Sequence, residues 1–302
     1  ILVFQSCLHL VCFCFQFQTI QPDDPKKFLE EEQKVIDSLM YSFQHSLRMQ
    51  KHMTFLIEKG GMYLTNNQHV LFHGCIPVDE KGQLLAFELD QSYRGKELLG
   101  FFEKQITESA KDLTAKEDLA TDLIWYAWSG PFSPLFGKSK MATFERYFLT
   151  EPHTHVEKSN PYYHLRDEEW FSEKILAEFD AKEEGSAIIN GHTPVKVKKG
   201  ESPIKANGKA FVIDGGLSKA YQKTTGIAGY SLLCNSYGFQ IVTHYPFLPI
   251  EQQFAKKSDQ TNVKKVIEQQ LPRKLNRDTT KGMELQQQIT QLQRLLDYRK
   301  DD

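Results

Sequence analysis

The sequence predicts an α/β layered domain, and three observations carry that prediction. Short apolar runs stop abruptly at glycine-bearing loops: Val70-Leu71-Phe72 at His73-Gly74, and Ala187-Ile188-Ile189 at Asn190-Gly191. Segments with helical periodicity lie between these runs. The composition is that of an ordinary globular chain, with 302 residues, 40% apolar and 25% charged, enough to close a sizeable core. Strands ending in glycine loops with helices between them imply layers of sheet and helix. The 37 basic and 39 acidic residues leave a formal net charge of −2. That balance argues against a nucleic-acid binder, which needs a basic excess to displace counterions. No uncharged apolar run is long enough for a clear membrane span, and no internal repeat is visible.

Residues 1–20 form an apolar leader rich in Cys and Phe, interrupted by Gln5, Ser6, His9, Gln16 and Gln18. It lacks the basic start and small-residue cleavage site of a secretory signal. The chain opens on Ile rather than Met, so the leader is read as the truncated edge of a longer polypeptide, with a membrane anchor as the alternative. Five cysteines, Cys7, Cys12, Cys14, Cys75 and Cys234, are odd in number and crowded at one end. They do not form a secreted disulfide framework, and a reducing, cytoplasmic location is expected.

Residues 21–60 read as a helical segment. Pro25 suits a first helical position, with Asp23 or Asp24 as cap. Ile36, Met40, Phe43 and Leu47 draw an apolar stripe, and Gly60-Gly61 ends the run. Its length predicts an internal break, and the stripe is expected to pack on the domain's own core rather than in a coiled coil. Residues 61–250 form the body. Met62–Thr65 and His69–Phe72 read as strands around an Asn66-Asn67-Gln68 turn. A turn at Pro77–Gly82 and an extended Leu84–Leu89 follow. Lys96–Lys116 is helical, with Leu98, Leu99, Phe102, Ile106 and Leu113 inward. Leu119–Trp128 is a further apolar segment whose Trp125 and Trp128 are read as core or lining. Gly130–Lys140 and His153–Asn160 are loops around Thr143–Leu149, and Glu168–Phe179 is a helix. Ala187–Ile189 and Ala210–Ile213 are buried strands, and Ala228–Cys234 pairs with Phe239–His244. Residues 251–302 form a polar linker and an amphipathic terminal helix near Thr280–Tyr298, expected to dock on the body through Leu285, Ile289, Leu292 and Leu296.

Two segments share one physical design. His73 and His192 each stand just past a buried strand, beside Gly74 and Gly191. Strand ends hold side chains firmly, and glycine permits a sharp turn and the close approach of a ligand. Neutral imidazole is a frequent metal ligand, and two on neighbouring strand ends can converge on one ion. The alternative is a pair of unrelated, hydrogen-bonded loop histidines. A third segment runs from Lys205 through Asp214-Gly215-Gly216 to Lys219, Tyr221 and Lys223. Its lysines, hydroxyls and backbone amides suit a phosphate, against the alternative of a solvated lysine-rich loop. His153 and His155 are read as surface residues, Cys75 as a small buried thiol, and Arg146 as a phosphate contact or a salt-bridge partner.

The strings LFHGCIPVDEKG, WYAWSGPFSPLFGKSKMATFERYF, NPYYHLRDEEW, INGHTPVKVKKGESPIKANGKAFVIDGGLSKAYQKTTGIAGYSLL and NSYGFQIVTHYPF resemble the C-terminal half of class III, Firmicutes-type fructose-1,6-bisphosphatase. The resemblance runs from about Gln21 to the last helix. It implies an incomplete calcineurin-like metallophosphoesterase sandwich with flanking helices and a dinuclear manganese centre. The implied reaction releases the 1-phosphate of fructose 1,6-bisphosphate, giving fructose 6-phosphate for gluconeogenesis. By the same resemblance His73 and His192 are metal ligands. Lys205, Lys219, Tyr221 and Lys223 are candidate substrate contacts on the reading of their own segment, whose lysines and hydroxyls suit a phosphate.

The departure from the family pattern is equally specific. No Asp is followed two residues later by His, and neither Gly-Asp nor Gly-Asn occurs. The other metal's ligands, the bridging carboxylate and the usual catalytic His are therefore expected in a missing N-terminal half. The isolated chain is expected to be inactive and to bind manganese weakly, because two neutral imidazoles bring no countercharge. A homo-oligomer or that missing half is the expected protein partner, with no nucleic acid and no membrane. The alternatives are a non-catalytic phosphometabolite-binding or interaction module, and another metallophosphoesterase acting on phosphoproteins or dinucleotides.

Overall fold

The computed structural model describes residues 19–21, 23–24, 26–111, 118–227, 229–245, 263–267 and 273–299. Most of the apolar leader, Cys7, Cys12, Cys14, Pro25, Leu113 and, after Pro249, residues 250–262 and 268–272 lie outside the described residues. The first elements are α1 (Glu30–His45), α2 (Leu47–Lys59), β1 (Tyr63–Asn66), β2 (His69–Phe72), β3 (Phe87–Glu88) and β4 (Ser92–Tyr93). Then come α3 (Gly95–Ser109), α4 (Leu119–Ser129), α5 (Thr143–Phe148), α6 (Tyr162–Leu165) and α7 (Glu169–Glu178). The remainder is β5 (Ile188–Asn190), β6 (Ile204–Lys205), β7 (Ala210–Val212), α8 (Lys219–Thr225), β8 (Gly229–Asn235), β9 (Gly238–His244), β10 (Val263–Val266) and α9 (Thr280–Tyr298).

The expected break in the first helical run falls at Ser46. Its backbone is extended and its side chain accepts from the Met49 N–H, so it closes α1 and caps α2 in one residue. The run starts at Glu30 rather than near Pro25. Glu30, Glu31 and Glu32 fill its first turn, where the helix dipole favours negative charge. Gly60 ends α2, as read from the sequence. The expected packing of the stripe on a core is corrected: neither helix has a buried residue, and Phe43 stands 61% exposed. Periodicity defines an apolar face but carries no information on what covers it.

The described chain forms two compact units. The first is formed by the described residues within 1–62, 86–93 and 97–160. Its core gathers Leu98, Leu99 and Phe102 of α3 with Leu123 and Ala127 of α4, all buried. Phe87 packs within 6 Å of the Phe101, Phe102 and Tyr126 rings. Trp125 and Trp128 are 62% and 53% exposed, which corrects their reading as core or lining. They lie on the face of α4 away from Leu123 and Ala127, so the helix carries large apolar side chains on both faces while burying one. Glu157 ties the following loops together, accepting from Lys138 Nζ at 2.6 Å and the Ala142 N–H at 2.9 Å. Arg146 Nη2 lies 3.3 Å from the same carboxylate, which supports the salt-bridge reading of Arg146.

The second unit is formed by the described residues within 63–85, 94–96 and 161–302. Its main sheet has the order β1-β2-β5-β7-β6. The three central strands are parallel, with Val70 opposite Ile188 and Ile188 opposite Ala210. β1 and β6 pair antiparallel at the edges. Val70, Ile188, Phe211 and Val212 are buried, as strands covered on both faces require. β1 and β2 join through Asn67 and Gln68, both at positive φ, the tight hairpin geometry that Asn favours. A second sheet, β10-β9-β8, packs Phe239 against Phe211 with ring centroids 4.8 Å apart. Asn67 and Thr280 exchange two hydrogen bonds at the start of α9. Beyond that anchor α9 buries none of its residues, so the expected docking of Leu285, Ile289, Leu292 and Leu296 is corrected. No helix among the described residues is long and apolar enough to cross a membrane.

Candidate functional site

Parallel register places the ends of β2, β5 and β7 along one edge of the main sheet. Open parallel sheets bind ligands at the carboxyl ends of their strands. His73 follows β2 directly, and His192 stands two residues beyond β5. Gly191 N–H donates to the His73 carbonyl at 3.0 Å and laces the two loops together. The imidazoles meet edge to face, with His73 Nε2 3.0 Å from His192 Nδ1. One of these nitrogens donates and the other accepts, so the tautomers of the two rings are complementary.

His192 has φ +65°, a left-handed backbone that a side chain seldom adopts. Thr193 N–H closes back on the Gly191 carbonyl at 2.7 Å around it. This tight turn swings the ring toward His73. The loops pack closely just before it: a Cβ on Gly191 would sit in ordinary van der Waals contact, 3.5 Å from Asp214 Cβ and 3.9 Å from the His73 carbonyl. Asp214 is thus at the same sheet edge. Ile213 N–H donates to the Asn190 carbonyl at 3.0 Å, and Val195 N–H to the Asp214 carbonyl at 2.9 Å. The Asp214 carboxylate caps its own loop by accepting from Gly216 N–H at 2.9 Å.

Behind the pair lies a layer that inspection of the sequence did not single out. Asn190 Nδ2 donates to Tyr162 Oη at 2.8 Å and to the Gly74 carbonyl at 3.2 Å. Arg166 is buried, with its guanidinium 5.3 Å from the Tyr163 ring, and its Nε and Nη1 find no hydrogen-bond partner among the described residues. Burial pushes the Cys75 thiol up to about 12 and raises the Tyr162 and Tyr163 hydroxyls well above their ordinary range. All three stay protonated near neutrality, which bears out Cys75 as an inert buried thiol. The only signal for Tyr162, Tyr163 and Arg166 was their place in NPYYHLRDEEW.

The candidate substrate residues are less concentrated. Lys205 Nζ is committed to Asp167 at 2.9 Å. Lys219, Tyr221 and Lys223 are exposed on α8, and the Lys223 carbonyl accepts from Lys198 Nζ at 2.6 Å. His155 Nε2 faces the Glu145 and Leu149 carbonyls, and His153 is exposed. Among the described residues no group of three or more His, Cys, Asp or Glu side chains is placed to hold a metal ion. The histidine pair suits the nitrogen share of a metal site. The described residues do not add the oxygen ligands that manganese favours, so they do not by themselves form a manganese centre.

Fold and site thus define a class: a mixed α/β protein with an imidazole pair at the carboxyl edge of parallel strands. More particularly, the chain belongs to the Firmicute fructose-1,6-bisphosphatase family, whose model matches residues 11–300. It is 52% identical over 282 residues to the class 3 fructose-1,6-bisphosphatase of Pediococcus pentosaceus, covering 93% of this chain and 44% of that one. The class 3 enzyme of Streptococcus sanguinis is 52% identical over 281 residues, again 93% of this chain and 44% of its own. The Staphylococcus aureus MRSA252 protein is 50% identical over 281 residues, 93% of this chain and 43% of its own. The chain therefore spans less than half the length of these relatives. No solved structure matches it.

Proposed function

We propose that this chain supplies the C-terminal part of a fructose-1,6-bisphosphate 1-phosphatase with a calcineurin-like core, releasing fructose 6-phosphate and phosphate in the cytoplasm. The observation that carries the reading is the 3.0 Å contact between His73 Nε2 and His192 Nδ1 at the strand ends. On this reading both imidazoles are manganese ligands. The acidic ligands and the catalytic acid belong to sequence outside these 302 residues, and the relatives carry more than half of their length outside the matched segment. Manganese, when bound with those ligands, supplies charge stabilisation and an acidified water for phosphomonoester hydrolysis.

The chain's own residues do three things. The strand ends fix the imidazoles toward one point. Arg166 contributes a buried positive charge behind them, suited to a phosphorylated substrate. Lys205, Lys219, Tyr221 and Lys223 are the outer substrate contacts, and the exposed lysines on α8 attract a polyanionic sugar. As it stands, the chain binds manganese weakly and has little turnover, because two neutral ligands leave most coordination positions to water. Titration of the 302-residue chain with Mn²⁺, alongside His73→Ala and His192→Ala, tests the reading. Weak binding that disappears in both variants is expected, with negligible phosphate release from fructose 1,6-bisphosphate. Equal Mn²⁺ binding in all three proteins would overturn the ligand assignment.

A further inference from the structure

We infer that Asn190 and Tyr162 are positioning residues that set the spacing of the two histidines through a single shared amide. The inference rests on the proposed ligand role of His73 and His192. It extends that role to residues which touch neither ring through any contact named above.

Asn190 ends β5, two residues before His192, and is 3% exposed. Gly74 directly follows His73. The Gly74 carbonyl can only accept, so the Asn190 atom 3.2 Å from it is the amide nitrogen, and this fixes the orientation of the whole amide. The second amide proton then reaches Tyr162 Oη at 2.8 Å. Tyr162 is fully buried, its ring edge-on to Phe72, the residue before His73, with centroids 5.9 Å apart. Phe171 holds the ring at 5.8 Å. One tyrosine therefore packs on the residue before the first histidine and receives a hydrogen bond from the residue two before the second. One amide joins the two loops at the level of the imidazoles.

A packing role alone accounts poorly for this side chain. Asn190 Oδ1 is buried without a hydrogen-bond partner among the described residues. An apolar side chain of similar size would fill the volume without that desolvation cost. What the amide adds is its two donors, and both are spent on the framework of the histidine loops. Partners of this kind, which orient ligands without being ligands, typically change metal affinity by about 10–100-fold when removed.

The test uses the 302-residue chain and two variants. Asn190→Ala removes both donors, and Tyr162→Phe removes the hydroxyl while keeping the ring in place. The first readout needs no metal: the imidazole ¹⁵N shifts of His73 and His192, which report the proton between Nε2 and Nδ1. The second is the Mn²⁺ dissociation constant from electron paramagnetic resonance. We expect the shared-proton signature to be lost in Asn190→Ala and weakened in Tyr162→Phe. Mn²⁺ affinity should fall about 10–100-fold in the first and by a smaller factor in the second. Wild-type shifts and wild-type affinity in a folded Tyr162→Phe variant would overturn the inference, and that variant decides alone should Asn190→Ala not fold. Failure of the ligand reading looks different: His73→Ala would bind Mn²⁺ like wild type while the imidazole shifts still respond to Asn190→Ala.

Discussion

His69 makes this fold acid-labile, and the size of the effect follows from its surroundings. The residue opens β2 with its side chain 8% exposed, its ring edge-on to Phe239 at 4.7 Å and its Nε2 3.8 Å from Cys234 Sγ. Its Nδ1 is buried without a hydrogen-bond partner among the described residues. Burial, with a smaller push from Lys274, lowers its pKa from 6.5 to about 4. The unfolded chain therefore takes up a proton that the folded chain refuses. The stability this represents is fully present above pH 6.5 and is lost as pH falls toward 4. At about 1.4 kcal/mol per unit the whole shift is worth at most about 3 kcal/mol, and about 2 kcal/mol of that is gone by about pH 5. These figures are ceilings, because the thiol edge of the ring faces an exposed residue. Replacing His69 with Leu, of similar volume, should remove this component. Urea denaturation at about pH 7.5 and pH 5 measures it: wild type should lose up to about 2 kcal/mol more than His69→Leu between the two conditions. Equal losses in both proteins would refute the reasoning.

Glu157→Gln should destabilise the chain by about 1–3 kcal/mol, since it weakens charge-assisted bonds to Lys138 and Arg146. Burial raises the Glu157 carboxyl, but Lys138, the Ala142 N–H and Arg146 outweigh it and hold the group below its ordinary range. Its contribution is therefore present above the ordinary carboxylate pKa and lost as pH falls, so acid titration of the variant should be flatter there than that of wild type. Ser46→Ala removes the cap between α1 and α2 and should cost about 1 kcal/mol, read as a lower far-ultraviolet helix signal and melting point. Gly215→Ala would set a Cβ 2.5 Å from Gly229 Cα. Backbone cannot turn aside as a side chain can, so a loss of about 1–3 kcal/mol in chemical denaturation is expected, and an unchanged midpoint would show that the two segments can part.

Local signals in the sequence were read well where the structure needs only local chemistry. The three parallel strands of the main sheet fall where apolar runs meet glycine, and the α9 helix spans the expected Thr280–Tyr298, whereas the short edge strand β6 lay in a segment read as a lysine-rich loop. The histidine pair was legible for the same reason, because parallel strands deliver their ends to one edge. What the sequence did not show is what lies across from a given face. The apolar stripe on α1 and the tryptophans on α4 resemble core patterns, yet they face outward. Nor was the layer behind the histidines visible. Asn190 finds Tyr162 across 28 positions of chain, and Arg166 is buried although its residue type usually marks a surface. Such pairings depend on tertiary placement and leave no periodicity.

The uncovered strips on α1, α2 and α9 bear on how the molecule behaves in a test tube. Phe43, Phe55, Leu56, Leu292 and Leu296 all meet water, and water gains by letting such strips find one another. Concentrated stocks should therefore grow into larger particles. Sulfate or phosphate buffers, which strengthen apolar burial, should hasten that growth, and dilution should reverse it.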